Sequence, residues 1–179
     1  LRRRNIPSNI LDKSGIVWIN VQGNMQHPSN GSAFNEHEIQ VIRDLLSQLH
    51  QTLKRIDWGY DAIGIVTPYR EQKERLLKIK SLNGITVGTA HTFQGNECEI
   101  MLFSTVLSEG ISEGSHNWLS KSQNLLNVAV TRARTMLVVV GDFDYCRKLD
   151  SEHLYRRFAE YIGQKRVLSN WTDLPLLKI

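Results

Sequence analysis

The sequence predicts an α/β fold in which a doubly wound, mostly parallel β-sheet is flanked by helices. Three observations carry this reading. Short β-branched runs alternate along the chain with amphipathic helical stretches, the order expected of β-crossover-β units. The strand-sized runs, such as Ile63–Val66 and Met136–Val140, are continuously apolar, as strands covered on both faces are. Turn chemistry such as Asn83-Gly84 and Gly141-Asp142 punctuates the runs, and right-handed crossovers then distribute the helices over both faces.

Taken in order, Ile16–Val21 reads as a strand closed by Gly23, and Asn24–Gly31 is a polar loop. Asn35–Lys54 is the clearest helix, with Ile39, Ile42, Leu46, Leu49 and Leu53 at spacings of three or four. Ala62–Val66 is a buried strand, Pro68 turns the chain, and Arg70–Lys80 is a charged helix. Ile85–Val87 is a strand, 89–96 a polar elbow, and Ile100–Val106 a longer strand. Glu109–His116 lacks apolar periodicity and is expected to be an exposed, mobile loop. Asn117–Arg134 reads as one helix with Leu125, Leu126, Ala129 and Ala133 on its buried stripe, and Met136–Val140 as a central strand. Phe143–Gly163 adds helical material. The expected division is a linker stub over 1–14, one domain over 15–163 and a tail over 164–179.

Composition narrows the classes further. The chain has 179 residues, 22 Lys+Arg against 18 Asp+Glu and a net charge of +4. A chain of this length removes about 70% of its extended-state surface from water, enough for one core without a metal or disulfide staple. Cys98 and Cys146 form no CxxC or Cys/His cluster, so both read as small buried residues in a reducing compartment and no metal site is expected. No run approaches the ~20 apolar residues of a membrane span, and no export signal is recognisable, so a cytoplasmic protein, or a nuclear one in a eukaryote, is expected. The chain opens on Leu1 followed by Arg2, Arg3 and Arg4, which reads as part of something longer.

Chemistry concentrates in three segments. On the helical stripe, Arg132 lies at the edge of the core-facing strip beside alanines too small to cover it. Its guanidinium cannot deprotonate, so it requires an anion: a carboxylate of this domain, Glu97 or Asp142, or a bound phosphate. The elbow Phe93-Gln94-Gly95-Asn96-Glu97 places a glycine and a carboxylate where backbone can approach a ligand, and Phe93 itself reads as core. Thr67-Pro68 follows the second strand and Thr89-Ala90-His91 the third, at strand ends of the kind that hold ligands in parallel sheets.

Ile63–Gln72, Val87–Glu99 and Leu126–Gly141 resemble motifs IV, V and VI of superfamily 1 helicases related to the nonsense-mediated-decay helicase, and Asn35-Glu36-His37-Glu38 resembles the Asn-x-x-Glu signature before motif IV. The resemblance covers about residues 15 to 145 and implies the second, C-terminal RecA-like domain of a motor that hydrolyses ATP with Mg²⁺ and moves on single-stranded DNA or RNA. It implies that Arg132 is the arginine finger, that Glu97, Gly95, Gln94 and Arg134 lie at the nucleotide, and that Thr67, Pro68, Thr89 and His91 face the nucleic-acid backbone. Two positions depart from the family pattern: His91 stands where an acid is frequent, and Asn124-Leu125 replaces the polar lead into motif VI. No glycine is followed by lysine, so the phosphate-binding G-x-x-x-x-G-K-[ST] loop is absent, and Walker B acids are not recognisable. ATP and Mg²⁺ are then expected on an N-terminal RecA-like domain of the same parent chain, with this fragment inactive alone. The alternative is a nucleic-acid or protein binding module that keeps the fold without catalysis.

Overall fold

The computed structural model describes residues 15–28, 32–79, 84–93 and 95–178. The most apolar run of the sequence becomes the middle of the sheet. Strand β5 (Ala133–Gly141) is flanked by β4 (Cys98–Ser104) on one side and β1 (Gly15–Asn20) on the other. β2 (Ile63–Val66) and β3 (Thr86–Gly88) extend the β4 edge, and the short β6 (Val167–Leu168) extends the β1 edge. The order is β3-β2-β4-β5-β1-β6, and every pairing is parallel.

Alternation along each strand divides the core into two layers. Met136, Val138 and Val140 of β5, with Ile100 and Leu102 of β4, face helix α1 (Glu36–Arg55) and α2 (Arg70–Leu77). Leu137, Val139, Met101 and Phe103 face α3 (Glu113–Lys121), α4 (Gln123–Arg132), α5 (Phe143–Lys148) and α6 (Leu154–Ile162). Connections toward β3 thus carry their helices on one face and those toward β6 on the other, as doubly wound topology requires. Trp18 is fully buried, donates Nε1–H to the Gly141 carbonyl at 2.9 Å and meets Phe143 edge-on. Gly141 admits no side chain because the Thr105 hydroxyl occupies the space of its missing Cβ.

Several sequence expectations are revised. Residues 109–116 are not a detached loop: Met25 N–H donates to the Glu109 carbonyl at 2.8 Å, and Ser112 caps α3 by accepting from Ser115 N–H. The single helix expected over 117–134 is two. At Ser122 the hydroxyl donates to the Trp118 carbonyl and the N–H to the Leu119 carbonyl, the side-chain competition that breaks helices. The helix also stops at Arg132, because Ala133 pairs with Cys98 and the strand ladder takes over. The tail, whose packing the sequence leaves open between this domain and a neighbour, packs back on the domain: it supplies β6, and its Leu174 and Leu176 are buried in the α1 layer. Both cysteines are free and buried, and burial pushes the Cys98 thiol up to about 12.

A buried polar network locks α1 and α2 to the C-terminal end of β4. Asn35 caps α1, its Oδ1 accepting from His37 and Glu38 N–H. Its own N–H donates to Gln72 Oε1 at 2.9 Å, while Gln72 Nε2 donates to Ser104 Oγ at 2.8 Å. Ser104 donates in turn to Glu38 Oε2 at 2.6 Å, which also accepts from Val106 N–H at 3.0 Å. Val106 holds φ +62, a strained value for a β-branched residue. Burial of Glu38 pushes its carboxyl from 4.5 up to about 8.

Glu38 therefore keeps its proton in the folded state at pH values where the unfolded chain has released it. Its contribution to stability is full below about pH 4.5 and is lost as pH rises toward 8. We expect Glu38→Gln to remove this decline in denaturant unfolding measured across that window, since the amide keeps an acceptor for Ser104 and Val106. Glu38→Ala, which leaves these donors unpaired, is expected to cost on the order of 3 kcal/mol below about pH 4.5 and less as pH rises toward 8, because the variant lacks the wild-type decline.

Candidate functional site

The sequence-predicted residues fall into two groups at opposite ends of the sheet, joined by α4. At the N-terminal ends of β4 and β5, a carboxylate lies between two arginines. Glu97 sits just before β4, exposed, and its Oε2 accepts from Arg134 Nε at 2.8 Å. Arg132, at the last turn of α4, stands farther off, with Nη1 4.0 Å from Glu97 Oε1. Arg134 also approaches Glu99, a buried acid that accepts from Thr135 Oγ1 at 2.9 Å. Glu97 is thus engaged by Arg134 more closely than by Arg132. The buried Nε of Arg132 has no hydrogen-bond partner among the described residues. Asp142, the other acid considered for Arg132, lies beyond the far end of β5 and caps α5 by accepting from Tyr145 N–H. A half-buried arginine with so little internal pairing is suited to an anion from outside the domain.

Gly95 is exposed at φ +84, in the left-handed region, with open space around the position of a Cβ. Its glycine is demanded by backbone conformation, and among the described residues nothing crowds it. Gln94 lies outside the described residues. Phe93 is buried, as expected of core. Glu99 and Thr135 were missed in the sequence because nothing in the spacing shows that β4 and β5 pair here.

At the other end, the segments after β2 and β3 and the α3–α4 junction enclose a groove of about 560 Å³. Pro68, Thr89 and His91 form one wall and Trp118, Lys121 and Asn124 stand on the other. Thr67 does not share that wall: it is fully buried, and its hydroxyl is not presented at the surface. Among the described residues no acid lines the groove. A second cleft, of about 520 Å³ beyond β1 and β5, is instead bordered by Glu36, Glu109, Asp142 and Asp144. The two differ in what they accept, because a polyanion is repelled by the acidic cleft and admitted by the acid-free one. Trp118 and Lys121 lie outside the motif segments, and only their convergence on Thr89 and His91 marks them. Among the described residues no cluster of three or more His, Cys, Asp or Glu is placed to hold a metal ion, and no helix is long and apolar enough to cross a membrane.

The architecture is that of a RecA-like α/β domain, six parallel strands with helices on both faces. Residues 2–144 match a protein family described as AAA domain, and the chain belongs to that family. It is 32% identical over 178 residues to the putative helicase mov-10-B.1 of Danio rerio, covering 87% of this chain and 17% of that protein. It is 29% identical over 152 residues to the DNA polymerase alpha-associated DNA helicase A of Saccharomyces cerevisiae, covering 79% of this chain and 21% of that protein. Against the RNA helicase Mov10l1 of Homo sapiens it is 33% identical over 142 residues, 74% of this chain and 12% of that protein. The chain thus spans about a fifth or less of these relatives, and is a helicase-family C-terminal domain.

If Arg132 serves an external anion and Thr135 an internal one, their removal has different consequences for stability. Arg132→Ala is expected to shift the unfolding free energy by less than about 1 kcal/mol, the range of exposed ion pairs. Thr135→Val strips a buried carboxylate of a donor and is expected to cost about 1–3 kcal/mol. Urea unfolding of the two variants beside wild type measures both.

Proposed function

We propose that this domain is the second motor domain of an ATP-dependent DNA or RNA helicase. In this reading Arg132 completes an ATP site whose phosphate-binding loop and Mg²⁺ ligands belong to an N-terminal RecA-like domain of the same parent chain. The observation that carries it is the buried Nε of Arg132, which has no hydrogen-bond partner among the described residues, together with an Nη1 that stands 4.0 Å from Glu97 while Arg134 holds that acid at 2.8 Å. ATP supplies the phosphoryl group whose transfer to water is the driving reaction. Arg132, permanently cationic and fixed at a helix end, is positioned to stabilise negative charge that develops on the γ-phosphate oxygens. Arg134 orients Glu97 beside it, Gly95 lets backbone approach the nucleotide, and Gln94 is assigned to the same site by the motif resemblance.

The acid-free groove at the opposite end is the track for a single strand. Thr89 and His91, next to Pro68, face it with polar groups able to contact phosphate without reading sequence. Thr67, being buried, does not face the strand directly; its N–H donates to the Gly88 carbonyl at 3.0 Å, just before Thr89. Closure of the two motor domains on ATP would couple the sites, since α4 carries Arg132 at one end and borders the groove at the other.

The test is single-turnover ATP hydrolysis by the full parent protein with single-stranded nucleic acid, comparing wild type with Arg132→Ala. Hydrolysis is expected to fall a hundredfold or more, about 3 kcal/mol of transition-state stabilisation, with nucleotide binding retained. An unchanged rate, or a wild type without stimulated hydrolysis, would overturn the finger assignment in favour of a binding module.

A further inference from the structure

Trp118, one of the exposed large apolar side chains among the described residues, lines the groove beyond β2 and β3. It is 49% exposed, and its ring is backed by Tyr69, centroids 5.4 Å apart at 47°, while Tyr69 itself is buried. The indole is therefore held from behind and open in front, toward the groove shared with Thr89 and His91. Lys121 lies three residues on, along the same face of α3, and lines the groove as well. The Ser122 hydroxyl closes α3 by donating to the Trp118 carbonyl at 2.7 Å, and gives α4 no side-chain cap. The positive end of α4 consequently opens on the same groove.

An exposed aromatic face beside a cation, in a groove with no acid among its described lining residues, matches the chemistry of an unpaired nucleobase followed by its phosphate. A paired base presents no free face, so a duplex gains nothing from the indole. We propose that Trp118 is the stacking platform of this domain for one base of a single strand, with Lys121 neutralising an adjacent phosphate. The proposal rests on the strand-track reading above and adds to it the residue that selects unpaired over paired nucleic acid. It also explains the shape of the region between β4 and β5: Glu109 is tied to Met25 and Ser112 caps α3, so that Trp118 is presented on a fixed helix.

The test uses the full-length protein with fluorescein-labelled oligouridylate and oligothymidylate, and a blunt duplex as control, in anisotropy titrations. Trp118→Ala is expected to weaken single-strand binding about tenfold and Trp118→Phe by less than about threefold, with duplex binding unchanged in both. Lys121→Ala is expected to lower the salt dependence of single-strand binding by about one phosphate contact. A strand carrying 5-iodouridine, irradiated in the complex, is expected to form an adduct that mass spectrometry maps to Trp118, a readout that a purely structural role would not produce. If wild type binds the strands and Trp118→Ala binds equally well, stacking is overturned while the track reading stands. If wild type binds neither strand, both are overturned. If Trp118→Phe is as impaired as Trp118→Ala and the adduct maps elsewhere, stacking is again overturned, and the exposed indole belongs to a protein contact.

Discussion

The carboxyl of Glu38 is buried with no cation beside it, and the surrounding donors explain why it is there. At the C-terminal end of β4 the chain leaves the sheet through Val106 at a positive φ, a conformation that a β-branched residue adopts only when the surroundings compel it. Glu38 takes the N–H of Val106 and the hydroxyl of Ser104, and Gln72 bridges Ser104 to the N-cap of α1. One network thereby fixes the exit of a central strand, the start of the longest helix and the start of α2. The segments after β2 and β4, including the α3 that carries Trp118, are aligned by this anchor. A fully satisfied buried network specifies one arrangement sharply, because any slip leaves polar groups unpaired in a medium that cannot solvate them.

Helix α4 gives the domain its functional length. At ten residues it is about 15 Å long. Leu125, Leu126 and Ala129 pin it to the sheet, so its two ends cannot move independently. One end borders the acid-free groove and the other presents Arg132.

Charge is partitioned over the surface as deliberately as apolarity is partitioned over the core. A net charge of +4 says little about a polyanion. What matters is where the acids stand: Glu36, Glu109, Asp142 and Asp144 gather at the cleft beyond β1 and β5, and none lines the groove beyond β2 and β3. The arginines at the N-terminal ends of β4 and β5 hold the third distinct environment, where Glu97 accepts from Arg134 at 2.8 Å and stands 4.0 Å from Arg132. The internal ion pair to Arg132 therefore exists but is long.

By itself the sequence determined the class of fold, the strands and the long helix, because continuous apolar runs and a three-to-four spacing follow from burial on two faces or on one. It also determined the motif segments, since Arg132, Glu97 and Gly95 are recognisable by their neighbours along the chain. Only the tertiary structure decided how these residues meet. The end of α4 at Arg132 and the incorporation of the tail depend on pairing with distant strands that local propensity cannot register, whereas the break at Ser122 is a local competition for the Trp118 and Leu119 carbonyls. The burial of Thr67, the pairing of Glu99 with Thr135 and the placing of Trp118 opposite Thr89 are likewise contacts between segments far apart in sequence. Periodicity records which face of an element is buried, whereas the partner on that face is chosen by sheet order and register, which exist only once the whole chain has folded.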